Sequence, residues 1–145
     1  IPDYALWTGT ATGIPGPQGL PLTKPPYSRI TAIDLNSGEH LWWIPNGGTP
    51  RSIQEHPALR GMDIPATGNL THSAMMVTPS LLLHTAIGDD GTTPFLYAVD
   101  KVTGERLGSL ETPGLGMYGM MSYMHEGRQR IILPVPGALV ALSLP

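Results

Sequence analysis

Ala32-Ile33-Asp34-Leu35-Asn36-Ser37-Gly38-Glu39-His40-Leu41-Trp42 is the stretch from which the fold can be read. A short β-branched run, Arg29 to Leu35, meets the turn signal Asn36-Ser37-Gly38 and continues as Glu39 to Pro45. That order predicts strand, tight turn, strand. Asp and Ser or Thr cap such a turn by bonding its backbone donors, and Gly takes the positive-φ position. The same pattern returns 66 residues later as Ala98 to Gly108, with Ala98, Asp100, Gly104, Glu105 and Leu107 matching Ala32, Asp34, Gly38, Glu39 and Leu41. A partial third copy, Leu139 to Ser143, sets Ala141 43 residues beyond Ala98.

Between the copies lie two more hairpin patterns. His72 to Val77 and Leu81 to Thr85 flank Thr78-Pro79-Ser80; Met120 to Met124 and Arg130 to Val135 flank a turn at His125 to Gln129. Four short strands per unit at a period near 40–45 residues mark a propeller blade. The 66-residue step is then one blade carrying an insertion at about 46–67. Residues 1–28 are rich in Pro and Gly and read as an arm or long loop; residues 29–145 carry the blade strands. No stretch holds a sustained 3.6-residue apolar period, so helix content is expected to be low.

Composition narrows the function classes. Gly and Pro together form nearly a quarter of the 145 residues, against roughly 12% on average. Net charge is −3 with only 8 Lys and Arg, which leaves no basic footprint for nucleic acid. The chain has no Cys, so thiolate metal sites, disulfides and cysteine nucleophiles are excluded. No apolar run approaches the ~18 residues that span a bilayer.

The repeat resembles the tryptophan-docking motif of the quinoprotein dehydrogenases, Ala-x-Asp-x-x-(Thr/Ser)-Gly-x-x-x-Trp. In the second copy Gly108 stands where Trp is expected, which weakens docking there. Gly19-Leu20-Pro21-Leu22-Thr23-Lys24-Pro25-Pro26-Tyr27 before Ile30 to Leu35 is similar to the C-terminal region of the membrane-type glucose dehydrogenases that use pyrroloquinoline quinone (PQQ). Gly119-Met120-Met121-Ser122-Tyr123 with Gly127-Arg128-Gln129 resembles a strand pair of the same family, and Leu139 to Pro145 its final strand. The short Val135-Pro136-Gly137 departs from the Gly-rich loop that the family often has there.

The resemblance implies an all-β fold: two to three four-stranded antiparallel blades of an eight-bladed quinoprotein β-propeller, here as a C-terminal fragment. It implies part of a PQQ-dependent sugar or alcohol dehydrogenase that passes electrons to ubiquinone or a cytochrome. Calcium is implied too, with its ligands and the catalytic Asp in blades outside this chain, so that the fragment alone is expected to be inactive. The remaining blades would be its partners. Its place would be the periplasm, with attachment to the inner membrane through N-terminal segments. The alternative is a non-catalytic propeller segment serving as a protein–protein scaffold; a third reading is a ring closed by copies of the chain.

Local chemistry adds little. The five His lack metal-ligand spacing. Asp89-Asp90-Gly91 lacks the downstream Glu of a calcium loop and reads as a polar hairpin loop, and Asp63 and Glu55 lie in the insertion without an evident partner. Gly114-Leu115-Gly116-Met117-Tyr118-Gly119 has the letters of a dinucleotide motif but is followed by a strand, not a helix; it reads as a bend where backbones approach the propeller axis. The segments entering the inner strands therefore give the candidate cofactor-binding residues Thr71, His72 and Tyr118, set against the simpler reading that they pack the channel wall. The Met residues, seven in all, are expected to be adaptable core filler.

Overall fold

The structure, a computed structural model, describes residues 16–143. Nine strands form three antiparallel sheets. β1 (Arg29–Ile33) pairs with β2 (His40–Pro45). A four-stranded sheet follows in the order β3 (Met75–Val77), β4 (Leu81–Ile87), β5 (Pro94–Asp100) and β6 (Arg106–Glu111). The last sheet holds β7 (Met121–His125), β8 (Arg128–Val135) and β9 (Ala138–Ser143). These are up-and-down blades, and of the three only the middle one has all four strands among the described residues. The sole α-helix among them is one turn, α1 (Arg51–Gln54).

The repeated sequence makes repeated geometry. Ala32 lies opposite Trp42 and Ile30 opposite Ile44; Ala98 lies opposite Gly108 and Leu96 opposite Leu110. A bulge follows each alanine. The Asp34 carboxylate accepts from the Asn36 N–H at 2.8 Å, and Asp100 accepts from Val102 and Thr103, both at 2.8 Å. Gly38 and Gly104 sit at φ 76° and 77°, the left-handed region that a side chain disfavours.

Trp42 joins the first sheet to the second. Its indole N–H donates to Lys101 O at 3.0 Å. Its ring lies on Gly104, where a Cβ would meet Trp42 Cδ2 at 2.8 Å. Beside it Trp42 and Ile44 pack on buried Ile30, Leu82 and Val99. This apolar burial, at roughly 25 cal/mol per Å², is what holds the two sheets together. A second core, Leu83, Leu96 and Ile131, joins the middle sheet to the last.

The segment from Asn46 to Thr67 crosses from β2 toward β3 and is bound at both ends. Asn46 N–H donates to Ser28 O at 3.0 Å and Tyr27 N–H to Thr67 O at 2.7 Å. Gln54 Nε2 donates to Asp89 O at 2.8 Å, tying α1 to the β4–β5 loop. Asp90 in that loop accepts from the Thr93 hydroxyl and from the N–H groups of Thr92 and Thr93, as an ordinary polar turn does.

Candidate functional site

β3 and β7 are the first strands of their sheets, so the segments entering them lie side by side. Ala74 N–H donates to Gly116 O at 3.1 Å. The Thr85 hydroxyl donates to the same carbonyl at 2.5 Å and accepts from Ala74 N–H at 2.9 Å. Thr85 is wholly buried, and the Ser73 hydroxyl donates to its carbonyl. One side chain thus satisfies two groups at the meeting of the two segments, the Gly116 carbonyl and the Ala74 N–H, and its own buried hydroxyl is bonded in turn. β3 begins at Met75 rather than at His72, and at its edge the Thr85 N–H still donates to Ala74 O at 3.0 Å.

Thr71 and His72 precede this knot on one segment, and Met117 and Tyr118 follow it on the other. Thr71 Oγ1 is buried and has no hydrogen-bond partner. The Thr71 carbonyl accepts from Asn46 Nδ2 at 3.4 Å. His72 is exposed, and Tyr118 is 72% exposed beside a cleft of about 250 Å³ that it lines with Met117, Leu115 and Pro136. Backbone bonds bring the two segments together; of the three predicted side chains, Thr71 has a buried hydroxyl while His72 and Tyr118 are exposed.

Asn46 was not among the sequence candidates. It is 4% exposed, donates to Ser28 Oγ at 3.3 Å, and leaves Oδ1 buried without a partner. An asparagine before two glycines reads as a turn, so nothing in the local sequence marks it as buried. A second missed group is His84, wholly buried on β4 with both ring nitrogens unpartnered. It stacks on Tyr97 at 5.3 Å between centroids, and the Arg106 guanidinium lies over the Tyr97 ring, 4.0 Å from its centroid. Burial, with the Arg106 charge second, lowers the His84 pKa to about 4, so it is neutral at pH 7. Among the described residues no three His, Asp or Glu side chains converge as a metal site, and no helix is long and apolar enough to cross a membrane.

Blades joined by a turn-capping Asp and a stacked Trp define a β-propeller of repeated four-stranded units. The family model for the PQQ glucose/ethanol/alcohol dehydrogenase β-propeller domain matches residues 4–131, so the chain belongs to that family. It is 28% identical over 137 residues to the glycerol dehydrogenase large subunit of Gluconobacter oxydans (strain 621H), covering 88% of this chain and 18% of that protein. To the quinoprotein glucose dehydrogenase of Escherichia coli (strain K12) it is 26% identical over 155 aligned positions, 94% of this chain and 18% of the relative. A probable quinate dehydrogenase (quinone) of Xanthomonas campestris pv. juglandis shares 28% over 142 positions, 88% of this chain and 17% of the relative. The chain therefore spans less than a fifth of the length of the curated relatives it matches. No solved structure matches it.

Proposed function

We propose that the chain is a C-terminal part of a PQQ-dependent dehydrogenase that oxidises a hydroxyl of a sugar or alcohol in the periplasm. It supplies blades and one wall of the cofactor pocket, and electrons leave to ubiquinone or a cytochrome. Three relatives named as dehydrogenases of glycerol, glucose and quinate support the hydroxyl substrate class. Trp42 on the Gly104 turn supports reading the repeat as tryptophan docking.

The observation that carries the pocket assignment is the buried, unpartnered Thr71 hydroxyl where the two inner strands begin. A hydroxyl hidden without a partner costs roughly 1–3 kcal/mol, and a carboxylate of the quinone is an acceptor that would take its proton donor. Thr71 would hold that carboxylate. Asn46 Oδ1, also buried and unpartnered, would accept from an N–H of the ring system. His72 and Tyr118, both exposed, would border the mouth. When bound, the quinone accepts the two electrons and the hydrogen taken from the substrate carbon. Calcium, implied by the resemblance, would be held by residues outside this chain.

The test is quinone titration of the protein purified at its native length, followed by absorbance and by dye-linked oxidation of polyols and sugars. Saturable binding is expected, and Thr71→Val is expected to weaken it ten- to hundredfold, the worth of one hydrogen bond to a charged group. A Thr71→Val protein with an unchanged melting temperature and unchanged quinone affinity removes Thr71 from the pocket. Absence of both quinone binding and oxidation in the wild type overturns the dehydrogenase reading.

A further inference from the structure

The 46–67 insertion is locked onto the β4–β5 loop. Gly48 N–H donates to Ile87 O at 2.9 Å. A Cβ on Gly48 would strike the Gly88 carbonyl, and one on Gly91 would meet Arg51 N at 2.7 Å and Thr49 O at 2.9 Å. Backbone lies on backbone at both places, which glycine permits. Gln54 Nε2 carries two hydrogens; it donates to Thr49 O at 2.7 Å and to Asp89 O at 2.8 Å. The buried Thr49 hydroxyl donates to Pro65 O at 3.3 Å and accepts from the Thr67 N–H at 3.2 Å. That pair of bonds closes the two limbs of the insertion on each other.

These ties frame a cleft of about 470 Å³ lined by Thr49, Gln54, Met62, Ile64, Ala66 and Asp89. All six lie well inside the described residues, and the volume is within the roughly 300–1,000 Å³ of small-molecule sites. Met62, Ile64 and Ala66 give the lining an aliphatic part. Both amide hydrogens of Gln54 are taken, so Oε1 is the group it has left, an acceptor without a partner among the described residues. The Asp89 carboxylate is exposed, and its ionic neighbour is Arg106 at 3.8 Å. That separation is too long for a hydrogen bond, so the carboxylate keeps its acceptor capacity while the guanidinium offsets its charge. Glu55 is paired with Arg51 at 2.7 Å, and Asp90 is bonded within its own turn.

We propose that this cleft binds a neutral polyhydroxyl molecule of the size of one sugar ring. Its hydroxyls donate to the Asp89 carboxylate and to Gln54 Oε1, and its C–H face rests on Met62, Ile64 and Ala66. The class follows from the lining. A cation would compete with Arg106 for Asp89, an anion would meet the carboxylate, and a wholly apolar ligand would cover both acceptors without satisfying them. The site is carried by residues of the insertion and the β4–β5 loop, none of them among those proposed for the cofactor, so it stands apart from the dehydrogenase reading.

The probe is D-glucose, titrated into the quinone-free, isotopically labelled protein at its native length and followed by amide chemical shifts. Saturable shifts are expected at the amides of Thr49, Ala66 and Asp89 and at the Gln54 carboxamide, with half-saturation on the order of 1–10 mM. Asp89→Asn keeps the shape and gives up only an exposed ion pair, which contributes little to stability; it is expected to weaken glucose about tenfold. Ala66→Phe, at an exposed position, fills the cleft and is expected to abolish the shifts with Tm unchanged. No saturation by about 100 mM glucose, shifts centred away from these residues, or wild-type affinity in either variant overturns the proposal. Tighter binding of ethylammonium than of glucose does so too, since it makes the cleft a cation site. Quinone titration decides the dehydrogenase reading by itself, so the two can fail separately.

Discussion

Replacing His84 by leucine is expected to stabilise this protein and to flatten its response to acid. His84 is wholly buried, and neither ring nitrogen has a partner. Its register equivalent in the last sheet is Leu133, set opposite Val140 as His84 is set opposite Tyr97, and equally buried. The fold thus already accepts leucine at this station. Each unpartnered buried nitrogen costs roughly 1–3 kcal/mol, and the lost stack on Tyr97 gives back roughly 0.5–1.5 kcal/mol. For the two nitrogens together a net gain of about 0.5–5 kcal/mol at pH 7.5 follows.

The acid response has a definite sign. The folded pKa, about 4, lies below the ordinary value of 6.5. Between those pH values the unfolded chain binds more protons, so stability is full above pH 6.5 and falls as pH drops toward 4. The separation corresponds to about 3 kcal/mol. Urea melts at pH 7.5, 6.0, 5.0 and 4.5 measure it. Asp90, held low by bonds from Thr93 and Thr92, and Asp100, held low by the Thr103 and Val102 N–H groups, lose their contributions below the His84 window. The reasoning is refuted if His84→Leu loses as much stability between pH 6.5 and 4.5 as the wild type, or is less stable at pH 7.5.

Gly104→Ala is expected to cost about 2 kcal/mol or more, since it adds a left-handed penalty of roughly 1–2 kcal/mol to a collision with the Trp42 ring. Gly38→Ala, at the same φ but in open space, is expected to show the backbone cost alone, and paired melts separate the two. Trp42→Gly is expected to cost about 2–4 kcal/mol in a urea melt. Thr85→Val is expected to cost roughly 1–3 kcal/mol and to speed hydrogen exchange at the Ala74 amide, whose bond to the hydroxyl it removes.

The turns at Asp34–Gly38 and Asp100–Gly104 were legible because their chemistry is local: a carboxylate two residues from the donor it caps, and a glycine where φ must be positive. The hairpins were legible for the same reason. Asn46 and His84 were not. Each is buried by residues far away in sequence, and neither residue type signals burial. Thr71 was found by its place ahead of an inner strand, but its orphan hydroxyl depends on what packs around it. His72 and Tyr118 came from the same placement and proved exposed. Gly108 was legible as a departure from the repeat.

The contact between Trp42 and the Gly104 turn is also one-way. Here the side chain belongs to the earlier blade and the receiving turn to the later one, so the two sides of the junction are chemically unlike. The turn at Gly38 presents to the preceding side the same uncovered glycine that Gly104 presents to Trp42. A blade added before β1 would have to bring a tryptophan of its own, whereas the sheet of β7, β8 and β9 receives none from Gly108. A disturbance at the Gly104 turn therefore frees the tryptophan of the sheet behind it.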